Sequence, residues 1–319
     1  MNAAREGAPP TAPADDPAIV DSRAVRRAFS RAAATYDAAA VLQREVGARM
    51  AERLAVVKLA PAAILDAGCG TGDALTELAL RYPLARRVAF DLALPMLAMA
   101  RDRGAERGST LTRLVDRLRG AAAPPAPPVC VCGDIAALPF AANTFDLVWS
   151  NLALQWVNEL PRAFAELRRV TRVGGLVTFT TFGPDTLKEL RAAFAHVDGH
   201  THVNRFVDMH DIGDLLVHAG FADPVMDMEH VTLTYESAEA MMRDLRAIGA
   251  TNATQGRPRG LTGRGRWAQA KAALEAMRRD GRLPATYEVV YGHAWKVPPR
   301  HTAEGLPIVK MPRRERDSR

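Results

Sequence analysis

The sequence predicts an α/β fold: a doubly wound, mostly parallel sheet of seven strands, preceded by a helical cap and followed by additions that select a substrate. Three observations lead there. Short apolar stretches alternate with segments of helical period from residue 62 to residue 219. The first stretch runs straight into Gly68-Cys69-Gly70-Thr71-Gly72, a glycine-rich turn that opens a helix. The strand ends carry Asp66, Asp91, Asp134 and Asn151, on the edge where open parallel sheets hold their ligands.

In chain order, residues 1–20 are rich in Ala and Pro and read as a disordered tail. Residues 21–60 have helical spacing: Phe29, Ala33, Tyr36, Ala40 and Gln43 recur every three or four positions and share a face. That face either simply covers the sheet or sets Tyr36 and Gln43 over the ligand cleft. The core is expected over 61–235. Its strands are Ala62–Ala67, Val88–Phe90, Val129–Cys132, Leu147–Ser150 and Leu176–Thr181, with Pro224–Met228 and His230–Tyr235 as an antiparallel edge. Helices are expected from the glycine turn to Arg81, around Pro95, over Leu160–Val170, near Thr186–Phe194 and near Asp208–Ala219. Residues 103–128 read as a surface insertion, with a basic helical segment over 111–119 and a Pro-rich end. Residues 236–296 are left for substrate selection, and 297–319 form a basic tail.

The ligand follows from charge. Asp91 ends the second strand 19 positions beyond Gly72, the spacing of a carboxylate that accepts from ribose hydroxyls. The dinucleotide pattern would have a third glycine where this chain has Asp73, and Asp66 sits where a pyrophosphate would lie. Two phosphates beside a carboxylate are a poor match, whereas an ammonium and a sulfonium suit it. Asp134, at the third strand end, is placed to accept from an adenine amino group. Met96 and Met99 either line an adenine pocket or fill core.

At this point the residues resemble a known family. Asp66-Ala67-Gly68-Cys69-Gly70-Thr71-Gly72, followed by an acid at the next strand end, is similar to the class I S-adenosylmethionine-dependent methyltransferases. The resemblance implies a Rossmann-like core with the methionine end of the donor near Asp66 and Gly68 and the ribose on Asp91. It also implies Gln43, Gly70, Gly72, Leu92, Met96, Asp134, Ile135 and Asn151 as cofactor contacts. The stretch Phe29–Asp37, Asn151-x-x-Leu154-Gln155-Trp156, Val203–Phe206, Met242–Asn252, Gly256-Arg257, Leu261-Thr262 and Leu283–Glu288 resemble the malonyl-acyl-carrier-protein O-methyltransferases of biotin synthesis. The resemblance spans about residues 29–295 and departs at the insertion and the tail.

That family methylates a carboxylate, which is already ionised at neutral pH, so positioning and desolvation matter more than a general base. Tyr36 is expected at the reacting groups. An arginine can clamp the carboxylate; of Arg205, Arg243, Arg246 and Arg257, the expected pair is Arg243 and Arg246, which precede Ile248–Thr251. The implied partner is an acyl-carrier protein bearing a malonyl thioester, and its acidic surface suits the basic segments 257–266 and 278–282. Three other readings stay open: an arginine hydroxylase assisting respiratory-complex assembly, a methyltransferase of a free small carboxylic acid, and a donor-binding assembly factor without turnover.

Composition narrows the class. The net charge of +6 is partly local, with seven Lys and Arg against three acids from Lys296 to Arg319, which reads as a solvated tail. No nucleic-acid motif accompanies it, and no apolar run reaches membrane-spanning length or forms a signal-peptide core, so a cytoplasmic protein is expected. Cys69, Cys130 and Cys132 fit neither a disulfide framework nor a zinc pattern, and His196, His200, His202 and His210 have no metal-site spacing. No metal is expected.

Overall fold

A computed structural model describes residues 16, 18–106, 126–258, 260 and 262–298. Most of the expected 103–128 insertion, with its basic segment, the first fifteen residues and nearly all of the 297–319 tail lie outside the described residues.

The sheet has seven strands in the order β3-β2-β1-β4-β5-β7-β6. β1 (Ala63–Ala67), β2 (Arg86–Asp91), β3 (Val129–Cys132), β4 (Phe145–Ser150) and β5 (Thr171–Phe182) are parallel. α3 (Asp73–Arg81) and α4 (Leu94–Glu106) join β1 to β2 and leave β2 toward β3, while α5 (Leu160–Val170) joins β4 to β5. The strand order reverses between β1 and β4, and a crevice opens at such a switch point.

Alternating side chains feed two cores, as a doubly wound sheet requires. Ile64, Leu147, Leu176 and Tyr291 face one layer with Leu42, Val46 and Met50. Leu65, Val88, Phe90, Val148 and Val177 face the other, with Phe164 and Leu167 of α5. Phe90, Phe145, Phe164 and Phe179 are fully buried, and each truncation to Ala would cost about 3–5 kcal/mol.

The strand count agrees with the sequence, but the membership differs. The two late strands expected over 224–235 are one strand, β6 (Ala222–Tyr235), and it forms the edge. The seventh is β7 (Leu283–Trp295), which lies between β5 and β6 and is antiparallel to both. Pro284 and Gly292 are breaker signals in the sequence. In the fold Pro284 sits near the start of the strand, and the residues between are almost wholly buried. Part of the stretch assigned to substrate selection therefore completes the sheet.

The cap is a helical pair, α1 (Ser22–Ala39) and α2 (Val41–Leu54). Asp21 caps α1 by accepting from the N–H groups of Arg23 and Ala24 at 3.0 and 3.1 Å. Val20, expected within the tail, is buried: it bridges Thr254 and exchanges two 2.8 Å hydrogen bonds with the Asn158 side chain. The cap is thus stitched both to the core and to the C-terminal half, which adds α6 (Lys188–Phe194), α7 (Met209–His218), α8 (Ala238–Ala247) and α9 (Arg264–Glu275). Among the described residues no helix is long and apolar enough to cross a membrane.

Candidate functional site

The glycine loop leaves β1 with Gly68 at φ +85° and Gly72 at φ +82°. A Cβ on Gly68 would stand 2.2 Å from the Ala153 Cβ, and one on Gly72 would meet Ala100 at 2.8 Å. Both positions demand glycine for backbone angle and for space. The Gly68 and Cys69 N–H groups donate to the Phe90 carbonyl at 2.7 and 3.0 Å, and Gly70 N–H donates to Asp91 Oδ2 at 2.9 Å. The first loop and the second strand end form one structure.

A cavity of about 560 Å³ opens beside this loop, bounded by α2 and α3. Three buried polar atoms around it have no hydrogen-bond partner: Gln43 Oε1, Asp66 Oδ2 and Trp149 Nε1. Unpaired buried polar groups are costly and call for a ligand or water. Two acceptors and one N–H donor match an ammonium and a carboxylate on one ligand end. Burial, and then the charges of Asp91 and Asp73, push the Asp66 carboxyl well above its ordinary range. A cation relieves that penalty and a diphosphate would deepen it.

An adjoining cavity of about 290 Å³ is lined by Asp91, Leu92, Asp134 and Ile135, with Gly68 and Gly70 shared. Asp91 is held by N–H groups of Gly70 and Ala93, while burial raises its carboxyl. Asp134 accepts from Ala136 N–H at 2.9 Å and remains exposed. A carboxylate on each side suits a ribose and an adenine edge. The two cavities together fit S-adenosylmethionine.

Three expected cofactor residues also have structural surroundings of their own. Met96 is fully buried with Ala33 and Ala93 beneath Phe29 and Tyr36, so it is core rather than pocket wall. Gly72 shapes the loop and precedes α3. Asn151 lines both cavities, yet its side chain is already committed: Nδ2 donates to the Gln43 carbonyl at 2.9 Å, and Oδ1 accepts from Thr180 Oγ1 at 2.7 Å. It braces α2 against β5.

Tyr36 borders both cavities and also a third, narrower chamber of about 90 Å³. Asp37, next along α1, accepts from Thr71 Oγ1 at 2.5 Å and pairs with Arg103, latching the cap over the glycine loop. Burial, followed by the charges of Asp91 and Asp37, holds the Tyr36 phenol protonated far above its ordinary range. It is a hydrogen-bond donor at the junction.

The chamber gathers the motifs that were scattered in sequence: Gln155 and Trp156, Asn204 and Phe206, Ile248 to Asn252, and Tyr287. Phe29 packs edge-to-face on Trp156 at 5.3 Å. No arginine or lysine lines it. The structure does not bring the expected arginines to this chamber. Arg243 and Arg246 are exposed on α8 and line a separate groove on the far side of α1, and Arg257 there pairs with Asp21 at 3.1 Å. Helical spacing put these side chains opposite Met241 and Leu245, which take the buried face. The polar groups at the chamber are Tyr36, Gln43, Asn204 and Thr251 among others. Asn204 is buried and makes no side-chain hydrogen bond among the described residues.

Sequence reasoning missed Trp149, a core-strand residue whose N–H is legible only once its missing partner is seen, and Thr180, Phe182 and Leu190, which carry no motif. His202 lines the chamber, but Asp198 holds its Nε2 at 2.8 Å and Phe194 stacks on its ring. Among the described residues no cluster of three metal-ligating side chains forms.

A family model described as a methyltransferase domain matches residues 65–179. Malonyl-[acyl-carrier protein] O-methyltransferase of Gallionella capsiferriformans is 54% identical over 292 residues, 92% of this chain and 97% of that one. The protein of the same name from Laribacter hongkongensis is 55% identical over 294 residues, 91% and 96% of the two chains. Among solved structures, a putative methyltransferase of Bacillus halodurans aligns with TM-score 0.53 at 18% identity, over 79% of this chain and 99% of that one, and shares the fold.

Proposed function

This chain belongs to the malonyl-[acyl-carrier protein] O-methyltransferase family, and from that premise we propose how its cleft and chamber divide the work. It is an S-adenosylmethionine-dependent enzyme that methylates the free carboxylate of malonyl-acyl-carrier protein. We place the reaction early in biotin synthesis. Reliance on a carrier protein supports a cytoplasmic setting.

When bound, S-adenosylmethionine supplies a methyl group on a positively charged sulfur. The chain's residues do the rest. Asp66, Gln43 and Trp149 hold the amino-acid end, and Asp91 and Asp134 hold the adenosine end. The observation that carries this reading is the convergence of the three unpartnered polar atoms on one side of the glycine loop.

The substrate carboxylate enters the chamber on the other side of Tyr36. No group there needs to take a proton, because the nucleophile is already ionised. An arginine clamp would hold the carboxylate's negative charge tightly and weaken it as a nucleophile. Neutral donors orient it while leaving that charge available, and Tyr36 and Asn204 are the donors best placed. Phe29, Phe182, Phe206, Trp156 and Leu190 exclude water, which strengthens the attraction between carboxylate and sulfonium.

The test is methyl transfer from methyl-labelled donor, with malonyl-carrier protein and free malonate offered separately. Label in the carrier-bound malonyl group, released as methanol by alkali, is the expected result. Label in free malonate alone would favour a small-acid enzyme, and donor binding without transfer would favour an assembly factor or hydroxylase.

A further inference from the structure

Outside the cleft, the strongest unexplained feature is a groove of about 550 Å³ between α1 and α8. Five arginines line it: Arg27 and Arg31 from α1, Arg243 and Arg246 from α8, and Arg257. Its remaining walls are alanines and threonines, and no acid lines it. The arginines at i and i+4 on α1, and at i and i+3 on α8, stack on one face of each helix, where like charges repel. Arg257 has Asp21; Arg27, Arg31, Arg243 and Arg246 are exposed and have no ion-pair partner among the described residues. Four unpaired guanidinium groups on two packed helices oppose the fold, and an anionic partner would reverse that sign.

The groove also has an address. Thr251 lines both it and the substrate chamber, so the arginines stand at the chamber's rim. The wall between is the α1–α8 seam, pinned where Thr35 Oγ1 donates to the Ala247 carbonyl at 2.9 Å. Of the two basic segments picked out by sequence, 257–266 reaches this groove through Arg257, and 278–282 is more occupied. Arg278 pairs with Glu275, and Arg282 is bound to Thr234 near Glu236, where β6 ends beside the start of β7.

We propose that this arginine groove is the docking surface for the acyl-carrier protein, gripping an acidic face of the carrier so that its malonyl-bearing arm enters the chamber past Thr251. The inference rests on the methyltransferase reading above. It explains why the arginines lie outside the chamber: they recognise the carrier, and neutral groups recognise the acyl end. Charge complementarity of this kind speeds encounter and sets register, and it weakens with salt.

The experiment compares two substrates on the full chain: malonyl-carrier protein, and malonyl-pantetheine, which has the arm without the carrier. The variants are Arg27→Glu with Arg31→Glu, and separately Arg243→Glu with Arg246→Glu. Each pair should lower kcat/KM for the carrier relative to malonyl-pantetheine by about tenfold, through KM. Salt should raise the wild-type KM for the carrier alone. A carrier KM within twofold of wild type in both variants would overturn the docking surface. So would an equal fall on both substrates, which would return Arg243 and Arg246 to the acyl group or to the fold. If the wild type methylates neither substrate, the enzyme reading itself has failed and this one falls with it.

Discussion

Gly70 donates its backbone N–H to Asp91 Oδ2 at 2.9 Å, so the glycine loop after β1 positions the carboxylate that ends β2. The other carboxylate oxygen accepts from Ala93 N–H at 2.8 Å. Each oxygen keeps a lone pair for a ribose hydroxyl. Asp91→Ala should weaken S-adenosylhomocysteine binding by about ten- to a hundredfold, the worth of a hydrogen bond to a charged acceptor. Isothermal titration calorimetry measures it.

Asp66 yields a prediction with opposite signs for stability and binding. Burial and neighbouring acids raise its carboxyl in the ligand-free fold. A raised carboxyl favours the protonated form, so its contribution to stability is present at low pH and is lost as pH climbs through the folded value. The bound ammonium reverses this by favouring the ionised form. Donor affinity should therefore rise with pH, starting above the ordinary carboxylate range. Asp66→Asn should raise the Tm of the ligand-free protein at neutral pH, abolish that pH dependence and weaken the donor by at least about tenfold. Thermal shift across pH, with and without donor, reads both.

Tyr36 touches all three cavities, and its phenol stays protonated. Tyr36→Phe keeps the ring over Gly70 and removes the donor. The expected result is a fall in kcat/KM of about ten- to a hundredfold for malonyl-carrier protein, with donor affinity nearly unchanged. Steady-state kinetics beside calorimetry separate the two.

Thr180 is fully buried, donates to Asn151 Oδ1 at 2.7 Å, and accepts from Leu152 N–H at 2.9 Å. Thr180→Val keeps the shape and leaves Asn151 Oδ1 without its donor, while Leu152 N–H keeps the Thr180 carbonyl at 3.2 Å. A loss of about 1–3 kcal/mol in urea unfolding is expected. Donor binding should weaken too, because Asn151 no longer fixes α2 and Gln43.

Much of this was legible in the sequence because local chemistry decides it. The glycine loop needs its backbone angles whatever surrounds it, and Asp91 and Asp134 announce themselves by following apolar strands. Motif order also carried information: Asn204, Ile248–Asn252 and Tyr287 look unrelated along the chain and share one chamber in space. What local chemistry does not decide is facing. Nothing local tells which way Arg243 faces; in the fold Met241 and Leu245 take the core side and leave it exposed. Met96 reads as pocket wall or, more commonly for methionine, as core, and in the fold it packs against Ala33 and Ala93. β7 escaped because its neighbours in the sheet, β5 and β6, are distant in sequence, while its proline and glycine are local signals against a strand.

The central claim is that an acid-lined cleft takes a cationic donor while a chamber without lysine or arginine takes the anion that meets it. Crystals of the full chain grown with S-adenosylhomocysteine and malonyl-pantetheine test it directly. The account expects the amino group against Asp66 and Gln43, the ribose on Asp91, and the malonyl carboxylate in the chamber within hydrogen-bond reach of Tyr36. Density for the malonyl carboxylate on Arg243 or Arg246, or for the nucleoside outside the cleft, would contradict it.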